Sequence, residues 1–374
     1  MVKLLLVTKL FEPVTGGVET AVGAIASAFG SNNNFVVTIL AGNEKPFTGT
    51  HRYQWKNVTV IKSASAGVLH NTAVSPVYFR LLWLLIKEND IIHFHTPNPL
   101  GTFAQFFLNI PAAKKVIASV HADVGLTKKS RYGAFYNSLL KKLLTRANVI
   151  TTTSPQNLEI FPVLNTFQHK CIVIPLALDP ANTVDVSAEE IAAFQKKYLQ
   201  NSLLSKILFV GRLDEDKGLT YLIEAVKQIK DVQLVITGDG PLLSSLQKQA
   251  APAGDERIVF TGYLRGRDLA CAYRSAKLFV LPSVKETFGI VQAEAMFVGL
   301  PVINTQLGTG TNFVSINNQT GFTVPASNGK ALVEAIKEIL GNPRLYQQFS
   351  DNAKQRSALF TPEKMVAAFE KLYH

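Results

Sequence analysis

Two spacings alternate along this chain. Short apolar runs, each long enough for one buried strand, are separated by stretches whose apolar residues recur at helical spacing. In the first half the runs lie at residues 3–8 (KLLLVT), 35–40, 90–95, 114–120, 147–154 and 170–175, with helices opening near Gly17, Pro76 and Tyr132. After a linker around ALDPANTVD the rhythm returns, with runs at 206–211, 232–238, 257–262, 277–283 and 301–305. Strands that are apolar at nearly every position, with helices between them, predict parallel sheets covered on both faces. The expected fold class is α/β: two Rossmann-like doubly wound domains facing a central cleft, residues 1–178 and 179–360. Two helical segments, 328–340 and 343–373, close the chain with a break near Thr361 and Pro362, and residues 361–374 are expected to form a helix packing back on the first domain. Ligands of such sheets bind beyond the carboxyl ends of the strands.

Those strand ends carry the polar residues of interest. KETFGIVQAEAM, residues 285–296, places Glu286 in a loop and Glu294 inside the helix that follows. TGGVET at 15–20 puts Gly16 and Gly17 before a helix, where a bare backbone and free amides suit a phosphate or a simple turn. GRLDEDKGLTYLIEA puts Arg212 and Lys217 on one strand-to-helix turn, so that a guanidinium, an ammonium and a helix start act in one direction on an anion. The acidic run at 214–216 shares that turn and reads as surface, since an isolated acidic pair makes an incomplete metal site. His93 and His95 alternate on a strand and share a face, which favours packed or hydrogen-bonded imidazoles, and His121 falls at a strand's carboxyl edge.

Composition narrows the class. The chain has 374 residues, 47% of them hydrophobic, enough for two cores. Apolar runs such as LLWLLI fall short of a membrane span and the amino terminus lacks a secretion signal, so a cytoplasmic protein is expected. Cys171 and Cys271 are too few for a disulfide framework or a zinc site. The net charge is +11, and residues 1–180 hold 17 Lys/Arg against 8 Asp/Glu, so the first half carries the field. Eight basic residues between Lys114 and Arg146, with Asp123 as the one acid, suit an anionic partner such as lipid headgroups or nucleic acid.

In combination, TGGVET, SVHADV, VIPLALD, FVGRLDEDKGLTYLIEA, ITGDGPL, FTGY, VLPSVKETFGIVQAEAM and GLPVINTQLGTG resemble the ordered motifs of glycosyltransferase family 4. The resemblance spans nearly the whole chain and implies a GT-B architecture and a retaining, metal-independent hexosyltransferase that needs no cofactor. It implies that Glu286 holds donor-sugar hydroxyls, that amides of Phe288, Gly289 and Ile290 reach the sugar and its phosphate, and that Glu294 binds the ribose. Arg212 and Lys217 would neutralise the leaving diphosphate, Gly16 and Gly17 would close on the phosphates, His121 would contact the sugar, and Gly262 and Tyr263 would lie near the base. LGTGTNFVSINNQTGFTVP resembles bacterial enzymes of polysaccharide biosynthesis, which implies a mannose donor, GDP-mannose, with UDP-glucose, UDP-galactose or an N-acetylated UDP-sugar as alternatives, and a saccharide acceptor on a lipid. A lipid-linked acceptor would bring the basic first half to an anionic membrane surface on the inner face of the cell membrane. YGAFYNSLLKKLLTRA, 132–147, would then be an amphipathic membrane-surface helix with Leu139, Leu140, Leu143 and Leu144 opposite part of its lysines, the alternative being an ordinary solvated helix that packs those leucines inward.

Other classes fit less well. A basic nucleic-acid-binding protein leaves the glutamate pair unexplained, and no RNA-binding or helix-turn-helix signature is present. A nicotinamide-dependent dehydrogenase would need a Gly-x-Gly-x-x-Gly turn after a first strand, which neither half has. A sugar phosphorylase or nucleotide-sugar epimerase of the same architecture would share parts of the pattern and differ in product.

Overall fold

The computed structural model describes all residues except 15, 70–71, 123–130, 200–202 and 251–256. Thr15 of the first glycine motif, and Asp123, Lys128 and Lys129 of the basic stretch, lie outside the described residues. The chain forms two compact units, Met1–Ala177 with Glu363–His374, and Leu178–Pro362.

The first unit is built on an eight-stranded sheet in the order Cys171–Val173, Val149–Thr152, Lys115–Val120, Ile91–Thr96, Val2–Val7, Phe35–Gly42, Val58–Ser63, His51–Trp55. All neighbours are parallel except the final pair, a hairpin that the sequence rhythm did not announce. Leu4, Leu5, Leu6 and Val7 are fully buried, which is why this strand reads as apolar without alternation. Helix Pro76–Glu88 starts at the N-cap Ser75, whose hydroxyl accepts from the Tyr78 amide, and helix Pro99–Phe107 starts the same way at Asn98.

Helix Arg131–Arg146 corrects one expectation. Leu140, Leu143 and Leu144 are fully buried in one cluster with Phe94, Val116, Ala118 and Ile150 of the sheet, and Leu139 beside them is almost fully buried. Its leucine stripe closes the core of the first unit, the ordinary use of an amphipathic helix, and is not presented to a membrane.

The second unit holds a six-stranded, all-parallel sheet in the order Ile258–Gly262, Val232–Thr237, Ser205–Val210, Leu278–Leu281, Val302–Thr305, Gly321–Val324. By sequence within the unit this is the order 3-2-1-4-5-6. The connection reverses direction between its first and fourth strands, Ser205–Val210 and Leu278–Leu281, which makes the carboxyl ends of these two strands the switch point, the place where ligands of such sheets bind. The chain ends in helices Gly329–Gly341, Pro343–Ser357 and Pro362–Tyr373, the last belonging to the first unit.

Candidate active site

At the switch point of the second unit, the loop after the first strand meets the loop after the fourth. Lys217 ends a short 3-10 turn, Glu215–Lys217, and its Nζ lies 2.6 Å from Glu286 Oε2. Both side chains are largely covered, 21% and 15% exposed, so water screens the pair less than it would on an open surface. The other carboxylate oxygen of Glu286 accepts from the Thr287 amide at 3.0 Å. The two loops are also laced through the backbone, the amides of Val284 and Lys285 both donating to the Asp216 carbonyl. Gly218, at φ +63°, makes this possible, because a Cβ there would run into the Pro282 carbonyl oxygen.

Arg212 lies on the same turn but faces solvent, 67% exposed, with its guanidinium on Asp214 Oδ2 at 2.6 Å. The two cations are therefore not a bare pair: each has its own carboxylate, Asp214 for Arg212 and Glu286 for Lys217. The two aspartates of the acidic run are thus ion-pair partners, since Asp216 also meets Lys285 at 3.3 Å, while Glu215 between them is exposed. Among the described residues no group of three or more His, Cys, Asp or Glu side chains is arranged to hold a metal ion.

A third loop supports Glu286 from behind. Thr309 caps helix Gly310–Val314, and its hydroxyl donates to the Glu286 carbonyl at 2.7 Å. Buried Gln292 donates to the carbonyls of Phe288, Gly289 and Thr311 and accepts from Asn304 Nδ2 at 2.9 Å. The segment 286–290 is thus fixed from three directions. Gly289 sits at φ +70°, where a Cβ would come within 2.8 Å of Leu281 and Gln292 side-chain atoms. Phe288 is buried against Phe360, with ring centroids 6.0 Å apart. Among the described residues, no protein acceptor takes the amides of Phe288, Gly289 or Ile290.

Glu294 stands in helix Val291–Phe297 as expected, but only 3% exposed. Its Oε2 accepts from the Tyr273 hydroxyl at 2.8 Å, and its Oε1 from Asn182 Nδ2 at 3.0 Å and the Asp179 amide at 3.4 Å. Burial raises its pKa from the ordinary carboxylate value, with the three donors pulling the other way. The carboxylate fastens the segment Asp179–Asn182 to its helix, so a ribose at this residue must share or displace a contact already made. Nothing in the motif spacing pointed to Tyr273 or Asn182, which lie 21 and 112 positions away. Gly262, at φ +75°, ends its strand with its carbonyl accepting from the Gly238 amide, and Tyr263 beyond it is exposed.

In the first unit, Gly16 is the N-cap of helix Gly17–Gly30, with the Glu19 carboxyl folded back against it. Burial raises the Glu19 pKa. The three histidines lie together at the centre of this unit's sheet. His93 and His95, on one strand face as predicted, have ring centroids 4.1 Å apart, and the His95 ring stacks on His121 at 5.4 Å. His95 Nδ1 is 3.1 Å from His121 Nε2, while His93 bridges the Tyr373 hydroxyl at 2.8 Å and Ser119 Oγ at 2.7 Å. Burial drives the pKa of His121 down to about 4, that of His93 down to about 3, and that of His95 well below its ordinary value. All three are neutral at pH 7. His121 also lines a small cavity with Ser119, Thr151, Thr153, Leu176 and Phe369, and its buried Nδ1 has no protein partner.

Comparison with known proteins identifies the family and the fold. The family described as "Glycosyltransferase Family 4" matches residues 15–182, and that described as "Glycosyl transferases group 1" matches residues 190–356. The O-antigen chain mannosyltransferase C of Escherichia coli is 27% identical over 99% of this chain and 98% of its own length. The D-rhamnosyltransferase WbpZ of Pseudomonas aeruginosa is 28% identical over 95% of this chain and 90% of its own. Among solved structures, sucrose-phosphate synthase from Thermosynechococcus elongatus covers the whole chain, and 98% of itself, with a TM-score of 0.79 at 22% identity. Anabaena HepE, crystallised with UDP and glucose, covers 100% of this chain and 99% of itself with a TM-score of 0.78 at 19% identity. With two Rossmann-like parallel-sheet units, and family matches that between them take in most of its length, the chain belongs to glycosyltransferase family 4 and has the GT-B fold.

Proposed function

We propose that this protein transfers a hexose from a nucleotide-sugar to a saccharide acceptor in polysaccharide biosynthesis, with retention of the donor's anomeric configuration and without a metal ion. The observation that carries the reading is the Lys217–Glu286 pair at the switch point of the second unit, inside the stretch matched by the group 1 family. Mannose is the assigned sugar and GDP-mannose the assigned donor. Two whole-chain relatives support the class, one carrying mannosyltransferase and the other rhamnosyltransferase in its name.

The chemistry assigns each group a task. An ammonium has three N–H donors, and Lys217 uses one on Glu286, leaving two for the oxygens of a leaving diphosphate. Arg212 binds Asp214 through Nε and Nη2, and its other N–H groups suit a second phosphate contact. Charges fixed before the sugar bond breaks need no rearrangement as negative charge develops, which is where such contacts lower a barrier most. Glu286, held by Lys217, Thr287 and Thr309, orients donor-sugar hydroxyls. The amides of Phe288, Gly289 and Ile290 face the sugar and its phosphate, Gly262 and Tyr263 the base, and Glu294 the ribose. In the first unit, Gly16 and Gly17 contact phosphate and His121 acts as a neutral hydrogen-bonding group toward sugar. The departing phosphate takes the acceptor's proton, so no second carboxylate is required. The acceptor is a saccharide carried on a lipid, which places the enzyme at the cytoplasmic face of a membrane.

The test is transfer from GDP-mannose, and separately from UDP-glucose, UDP-galactose and UDP-N-acetylglucosamine, to a soluble saccharide in the presence of EDTA, followed by proton NMR of the product. An α-linked mannoside formed in EDTA supports the proposal. A UDP-sugar as sole donor replaces the donor assignment, and an inverted product or loss of activity in EDTA overturns the mechanism.

A further inference from the structure

With its leucines in the core, helix Arg131–Arg146 leaves the basic charge of the first unit without an apolar partner, and the neighbouring helices supply one. On helix Pro76–Glu88 the exposed positions Arg80, Trp83, Leu84 and Lys87 fall at helical spacing on a single face. Trp83 is 44% exposed, with Lys87 Nζ 3.3 Å from its ring centroid. On helix Pro99–Phe107 the aromatic residues Phe103, Phe106 and Phe107 line the side away from the core, and Phe107 is 63% exposed. The two helices are joined by Phe79 and Phe103, whose rings meet edge to face at 5.7 Å, and Phe103 continues to Phe107 at 5.1 Å. Lys142 of helix Arg131–Arg146 reaches over Phe106 at 3.9 Å, which ties the third helix to the same patch.

We propose that this aromatic face, rimmed by Arg80, Lys87 and Lys142, docks the protein on an anionic lipid bilayer. Charge complementarity selects this occupant: of the three helices, only Pro76–Glu88 carries an acidic residue, Glu88 at its end. Contiguous exposed aromatic surface is uncommon on a protein with no partner for it. Trp and Phe favour the boundary between headgroups and acyl chains, and each adjacent Lys or Arg adds attraction to anionic headgroups. A cation seated over a ring keeps apolar and charged groups at the same depth, as a shallow interfacial site requires. The inference rests on the lipid-linked acceptor proposed above, because a soluble acceptor would give the surface no task.

The test is co-sedimentation of the full chain with vesicles of phosphatidylcholine alone and of phosphatidylcholine mixed with phosphatidylglycerol. Wild-type protein should bind only the anionic vesicles and be released as salt is raised. The double variants Trp83→Ser/Phe107→Ser and Lys87→Glu/Lys142→Glu should each bind at least about tenfold more weakly, while keeping the wild-type melting temperature and transfer to a soluble saccharide. Equal binding by wild type and the aromatic variant, or no wild-type binding to anionic vesicles, overturns the proposal. So does a concentration-dependent dimer abolished by the aromatic substitutions, which would assign the face to a second copy, or retention on polynucleotide without vesicle binding. Transfer that persists without vesicle binding condemns the surface alone; vesicle binding by a protein that takes no nucleotide-sugar condemns the donor assignment alone.

Discussion

Lys217 and Glu286 are 69 positions apart in sequence and 2.6 Å apart in space, and the proposed chemistry depends on that closure. Substituting Lys217, Glu286 or Arg212 by alanine is predicted to lower kcat/KM for the donor at least about 100-fold, the scale of losing one preorganised charge contact. Full activity in any properly folded variant removes that residue from the mechanism. The histidines make a different prediction. His121 is neutral when folded, with a pKa near 4 against an ordinary 6.5, so the unfolded chain binds a proton that the folded chain refuses between those values. The stability gained from burying the neutral ring is complete above pH 6.5 and is lost as pH falls toward 4, by roughly 3 kcal/mol for this residue. Melting temperature should drop over that window, and His121→Gln should flatten the dependence; an unchanged slope contradicts the buried network.

At the scale of elements, the strands were legible because parallel strands buried on both faces are apolar at almost every position, as Leu4 to Val7 and Leu278 to Leu281 illustrate. Helix Pro99–Phe107 was not, because PLGTFAQFF is short and its pattern is inverted, with Gly101, Thr102, Ala104 and Gln105 buried and its aromatic residues on the outer side. The hairpin His51–Trp55 with Val58–Ser63 lacks a two-residue Asn-Gly or Gly-Gly turn signal. In the site, the residue types at the strand ends were readable, but the bonds closing it were not, since Thr309, Tyr273 and Asn182 approach the glutamates only through the fold. Those bonds can be tested as elements of structure. Gly218→Ala forces a left-handed Cβ against Pro282 and should cost at least about 1–2 kcal/mol in chemical denaturation, with donor binding reduced as the Asp216–Val284 lacing loosens. Glu294→Ala strands the Tyr273 hydroxyl and the Asn182 amide and should cost about 1–3 kcal/mol. If Glu294→Ala leaves the denaturation midpoint unmoved while raising KM for the donor, the residue serves ribose and not the anchoring of Asp179–Asn182.

For the whole molecule, charge and chemistry divide between the two halves. The first half carries most of the net charge, a buried histidine cluster and an exposed aromatic face; the second carries a 3-2-1-4-5-6 sheet with a cation and a carboxylate at its switch point. Among the described residues no helix is long and apolar enough to cross a membrane. A nucleotide-sugar received at the second unit's switch point should stabilise the folded protein. The most direct measurement is the shift in melting temperature of wild-type protein and of Lys217→Ala across GDP, GDP-mannose, UDP, UDP-sugars and NADH. A ligand at 100 times its Kd adds about 2.7 kcal/mol to stability. The wild type should shift clearly upward with GDP-mannose and GDP and not with NADH, and Lys217→Ala should shift much less. Equal shifts in both proteins, or no response to any nucleotide, would contradict binding at the switch point.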